Sequence, residues 1–175
     1  GKLLIPQNVW FIGTANKDDS TFTITDKVYD RAISIDFKVK NEPFDAPEAE
    51  PLNMSYEYLA ALFEQARFDY PVSEDLLLRE AELEAYIIKN FRLSFGNRIM
   101  KQMKEFIPIY VGCGGDEVEA LDYLFTYKVL RKFESLNIVY TNQDLRMLIA
   151  KMNELFGEGN FAEAITYLTQ LQRRG

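Results

Sequence analysis

From Asn53 onward, apolar residues return every three or four positions, and the chain reads as a succession of amphipathic helices over 54–67, 74–91, 95–107, 116–134, 142–155 and 161–173. Local signals mark their ends. Ser73 and Ser94 stand where N-caps belong, Thr141 with Asp144 and Asn160 with Glu163 are spaced as capping boxes, and Gly157 is a stop between the last two helices. The stripe Val118, Leu121, Phe125, Val129 and Phe133 keeps one helix face apolar, which is the pattern of core packing.

The first forty residues follow a different pattern. Residues 8–14 (NVWFIGT) and 33–39 (ISIDFKV) are short runs rich in β-branched and aromatic residues, the signature of strands. Between them TITDKVYDRA suits a helix of one or two turns capped by Thr25. Pro43, Pro47 and Pro51 then exclude helix and central strand alike. The expected organisation is a strand-containing piece at 1–40, a proline-rich linker at 41–52 and a helical domain at 53–175, mainly α with a short β-α-β unit in front. Two strands do not make a stable sheet in water, so the first forty residues read either as the remnant of a larger sheet, with a further part upstream, or as strands lying on the helical bundle. Gly1 before Lys2 reads as a cleavage scar.

Composition narrows the function. With 47% hydrophobic residues the chain is rich enough to build a core, and its net charge of −7 gives no general attraction to nucleic acid, so direct nucleic-acid binding is not expected. Cys113 has no second cysteine to pair with, and without histidine no zinc-type cluster is available; the expected setting is a reducing cytoplasm. No apolar run is long enough for a membrane span. The run Gly112-Cys113-Gly114-Gly115 before Asp116 reads as a helix connection, since the acid would repel a phosphate. Arg173-Arg174 suits the end of a helix dipole, and Cys113 has no base nearby in sequence to activate it.

The chemistry gathers at the front. VWFIGT is continuously apolar, as in a strand covered on both faces of a parallel sheet, and such sheets bind ligands beyond the carboxyl ends of their strands. Asn16 falls there, and an amide that both donates and accepts suits the orientation of a water against a phosphate.

The stretch IPQNVWFIGTANKDDSTFTITDKVYDRAISIDF resembles the segment from sensor 1 to the arginine finger of AAA+ NTPases, in the branch similar to the McrB GTPase of methylcytosine-dependent restriction systems. Ile5-Pro6, Asn8, Ile12-Gly13-Thr14, Asn16, Asp19, Thr21 in place of Ser, Asp26 and Arg31 match in order. LSFGNRIMKQM resembles the family's lid segment, with Arg98 at the sensor-2-like position, and EALDYLFTYKVLRKFESL resembles a second lid motif in which Arg131 replaces a proline. The resemblance implies a β-α-β remnant of a P-loop core followed by an all-helical lid. It implies Asn16 as sensor 1, Arg31 as the finger, flanked here by Asp30 and Ala32, and Arg98 as a nucleotide contact. It also implies ATP or GTP with Mg2+ in the complete protein, a homo-oligomeric ring, and a nuclease or DNA-processing partner. The GxxxxGK[ST] loop and the acidic strand end that hold nucleotide and metal are absent from this sequence. Hydrolysis by the chain alone, and a nucleotide bound to it, are therefore not expected. The alternative is a non-enzymatic helical module that docks a partner through Tyr56, Tyr58, Phe68 and Tyr70.

Overall fold

The computed structural model describes residues 3–15, 25–29, 31–35, 37, 42–94, 96–135 and 140–174. Their regular structure is helical: α1 (Asp26–Tyr29), α2 (Tyr56–Asp69), α3 (Glu74–Phe91), α4 (Gly96–Gly112), α5 (Glu117–Phe125), a π-helical turn (Thr126–Leu130), α6 (Lys132–Ser135), α7 (Asn142–Phe156) and α8 (Ala162–Arg174). No helix among the described residues is long and apolar enough to cross a membrane.

Most helices begin where a short polar side chain takes over an orphan N–H. Ser55 accepts from the Tyr58 N–H at 3.2 Å and Ser73 from the Leu76 N–H at 3.1 Å. Thr141 and Asp144 close the expected box, with Thr141 Oγ1 accepting from the Asp144 N–H at 3.1 Å and the carboxylate accepting from the Thr141 N–H at 2.7 Å. Those hydrogen bonds hold the Asp144 carboxyl below the usual range. At the other ends, Arg92 in the left-handed region closes α3 and Gly157, at φ 88°, closes α7.

Three boundaries depart from the sequence pattern. Helix α4 runs through Pro108 to Gly112 instead of stopping at 107. The proline removes one donor, but continuation buries Ile107 and Pro108 and brings Gly112 against α2, where a Cβ would lie 3.1 Å from that of Ala66. The expected helix over 116–134 is interrupted by the π turn. The box expected from Asn160 and Glu163 is not made. Asn160 Nδ2 donates to the Phe156 carbonyl, and the first N–H groups of α8 go to the distant Asp122: Glu163 at 2.8 Å and Ala164 at 2.9 Å. A carboxylate sealed beneath the helix end accepts two N–H groups at once, which an exposed local amide does not.

The core lies among α3, α4, α5, the π turn, α7 and α8, where Leu83, Ile87, Leu121, Leu124, Val129, Leu145, Leu148 and Leu168 are sealed from water. Of the apolar stripe foreseen from sequence, Leu121, Phe125, Val129 and Phe133 are buried and Val118 packs partly against them. Aromatic pairs lock the layers: Phe156 stacks on Phe161 with centroids 4.3 Å apart, and Phe91 meets Phe133 at 5.0 Å.

No strand forms among the described residues. Residues 9–15 and 33–35 have no ladder partner, and Trp10, Phe11, Ile12, Ile35 and Phe37 face solvent. The runs have strand composition, but a strand needs another strand to satisfy its backbone, and none is supplied here. Residues 42–54 are likewise exposed and without regular structure.

Candidate functional site

Of the three residues singled out by the sequence, Asn16 lies outside the described residues. Arg31 follows α1, and its N–H and that of Ala32 converge on the Val28 carbonyl at 3.0 and 2.8 Å, leaving its side chain exposed. Arg98 is exposed in the first turn of α4, a turn with no acid in it. That end of a helix is electropositive and has free N–H groups, so a guanidinium there adds to a field that favours anions.

Helices α4 and α5 form a hairpin about the bend at Gly114-Gly115. Phe106 and Tyr123, equally far from the bend, stack with centroids 5.9 Å apart. Arg98 lies in the first turn of α4, at the end away from the bend, while Lys128 lies in the π turn that follows α5 and Arg131 comes directly after it.

Sequence reading missed those last two. Lys128 and Arg131 are both buried, with Arg131 over the ring of Tyr127 at 4.9 Å and Tyr127 against Tyr123 at 4.7 Å. The Lys128 ammonium donates to the carbonyl of Ala32, and the Tyr123 hydroxyl donates to the carbonyl of Ser34 at 2.7 Å. The backbone on the carboxyl side of Arg31 is thus held by two side chains of the bundle. A signal existed: Lys128 stands seven residues after Leu121 and three after Phe125, in register with the apolar stripe. A lysine on a buried helix face has a hydrogen-bonding task there, because an unsatisfied ammonium would not stay buried.

The remaining chemistry is structural. The glycine-rich bend is no phosphate nest, because the N–H groups of Cys113, Gly114 and Gly115 donate to carbonyls at the end of α4, from Ile109, Val111 and Tyr110. Asp116 caps α5 through the Val118 N–H at 2.8 Å. Burial raises the Asp122 carboxyl, and the bonds from Ala164, Glu163 and Thr126 oppose that rise. Glu80 has less help. Its Oε1 has no partner among the described residues, it borders a cavity of about 10 Å³ with Leu76, Met103, Lys104 and Ile107, and burial, reinforced by Glu84 and opposed by Lys104, pushes it up to about 7. That volume holds one water at most.

The exposed guanidinium groups of Arg31 and Arg98 suit phosphate oxygens. Among the described residues, no group of three or more His, Cys, Asp or Glu could hold a metal ion. The described residues around Arg31 and Arg98 do not form a phosphate cradle. No family model matches the chain, nor does any curated protein or solved structure.

Proposed function

We propose that this chain is the sensor-and-lid portion of a ring-forming AAA+ NTPase resembling the McrB-like branch. In the complete protein, residues 8–14 and 33–39 would pair as strands with the rest of a P-loop core, and residues 53–175 are the lid. Asn16 orients the attacking water within its own subunit. Arg31 is the finger that stabilises charge on the phosphoryl group in the neighbouring subunit. Arg98 reads the phosphates from the lid. The complete protein hydrolyses ATP or GTP with Mg2+ in the cytoplasm, and a nuclease or DNA-processing partner belongs to the same reading.

One observation carries this reading: beside a bundle that buries its own apolar faces, Phe11, Ile12, Ile35 and Phe37 stand 73–93% exposed, as strands do when the sheet that covers them is missing. The Lys128 ammonium beside the Arg31 segment is consistent with it.

The test mixes two inactive variants of the complete protein, Asn16→Ala and Arg31→Ala. A cis-acting Asn16 and a trans-acting Arg31 leave some mixed interfaces with both groups intact, so part of the activity returns. Two groups acting within one subunit restore none. Turnover by purified residues 1–175, abolished by Asn16→Ala, would refute the fragment reading.

A second reading, a partner-docking helical module, draws on α2, which has no fully buried residue and exposes Tyr58, Phe68 and Tyr70. It is favoured if the coding sequence upstream holds no P-loop.

A further inference from the structure

We propose that Tyr123 and Lys128 are positioning residues for Arg31, clamping the backbone beside it to the α4–α5 hairpin so that movement of the lid carries the arginine with it. This rests on the trans-acting role given to Arg31 above.

The clamp holds main chain. The accepting carbonyls belong to Ala32, in the bend after α1, and to Ser34 two residues on. Because Tyr123 and Lys128 bind carbonyls, they fix the path of the chain whatever side chains it bears, and Arg31 is the residue immediately before the grip.

Tyr123 and Lys128 are five residues apart, which in a regular α-helix leaves their side chains about 140° apart around the axis. Tyr123 lies in α5 and Lys128 inside the π turn Thr126–Leu130, whose wider winding reduces that angle over the part of the interval it covers. All five of its residues are buried, which holds the widened turn in place.

The consequence is a second connection between the lid and the core side of the chain. Residues 42–52 join them covalently but are exposed and irregular, a poor conduit for force. The clamp is short and partly buried, and Tyr123, one of its two donors, stacks on Phe106 of α4, the helix that carries Arg98 in its first turn. A lid displaced by phosphate contact at Arg98 would shift Arg31, linking one subunit's nucleotide state to catalysis in the next.

Tyr123→Phe removes one hydroxyl and keeps the ring between Phe106 and Tyr127; Lys128→Met removes the ammonium and keeps the chain length. In residues 1–175 with Cys113→Ser, spin labels at cysteines replacing the exposed Ile33 and Met147 report the distance from the clamped segment to α7. A single narrow distribution is expected, broadened by Tyr123→Phe and broadened further by the double variant, while thermal unfolding shows the bundle intact. In the complete protein, Tyr123→Phe is expected to lower kcat about tenfold with KM little changed, the split that marks loss of a contact made only in the transition state. An unaltered distance distribution in a folded Tyr123→Phe variant overturns the clamp and leaves the reading of Arg31 standing. A broadened distribution with unaltered kcat leaves the clamp in place and removes Arg31 from catalysis, which overturns the positioning role. If the double variant fails to fold, Tyr123→Phe alone decides.

Discussion

Leu148 in α7 and Ile12 near the amino terminus are side chains of the same size and hydrophobicity, yet Leu148 is sealed from water and Ile12 is 92% exposed. Leu148 lies on a helix whose backbone is satisfied within itself, so its apolar face needs only another helix, and α3 and α8 provide it. Ile12 lies in a run whose backbone would be satisfied only by neighbouring strands. The helical region carries its own partners in sequence; the amino-terminal region has strand composition without them. The same hydrophobic content thus stabilises one region and leaves the other waiting for a surface.

The largest effects should separate the regions. Leu148→Ala is expected to lower the stability of residues 1–175 by about 2–5 kcal/mol, from lost burial and the cavity left behind. Ile12→Ala is expected to stay within about 0.5 kcal/mol, because an exposed side chain gives up little. Urea titration followed by circular dichroism measures both. A cost above about 1 kcal/mol for Ile12→Ala would mean that the segment packs in solution and would break the comparison.

A smaller effect probes the core itself, where two acids are buried on different terms. Asp122 is held by the first turn of α8, whereas Glu80 has an oxygen with no described partner. The Glu80 carboxyl is raised from 4.5 to about 7, so the folded state holds its proton more tightly than the unfolded state does. The resulting stability is fully present below pH 4.5 and is lost as pH rises through about 7. Glu80→Gln keeps the shape without the charge. At pH 8 it should be more stable than the unsubstituted chain by about 1–2 kcal/mol, less than the full shift implies because Lys104 and nearby solvent screen the charge. At pH 4 the difference should nearly vanish. Urea midpoints of both proteins at the two pH values test this, and a difference independent of pH would show that Glu80 does not titrate in this window.

What could be read from sequence was whatever depends on neighbours in the chain. The helices at 74–91 and 142–155 announce themselves through an apolar face and a local cap, Ser73 or Thr141 with Asp144, and they form within a residue of where the pattern puts them. Hidden features depend on residues far apart. The cap of α8 joins Asp122 to Ala164 across 42 positions, and the hold of Lys128 on Ala32 spans 96. The π turn at Thr126–Leu130 interrupts a continuous apolar stripe and has no pattern of its own. Strand composition at 8–14 and 33–39 was legible, but whether it becomes sheet is decided by partners outside the region. Arg31 and Arg98 stood out only through a resemblance; by burial and spacing they are ordinary surface cations.

That ordinariness gives the smallest prediction, and it is a useful one. Arg98 is exposed at the amino-terminal end of α4, where its charge is mildly unfavourable to the helix dipole. If its task is to meet a phosphate, Arg98→Ala should leave the stability of residues 1–175 within about 0.5 kcal/mol of the unsubstituted chain, with a slight gain at low salt that fades as ionic strength screens the dipole. Leu148→Ala supplies the scale against which this null result is read. The outcome to look for is a loss. If Arg98→Ala destabilised the bundle by more than about 1 kcal/mol, its aliphatic stem would be packing against the hairpin, as arginine stems do when they cover apolar surface. Arg98 would then belong with Leu148, among the residues that hold the bundle together.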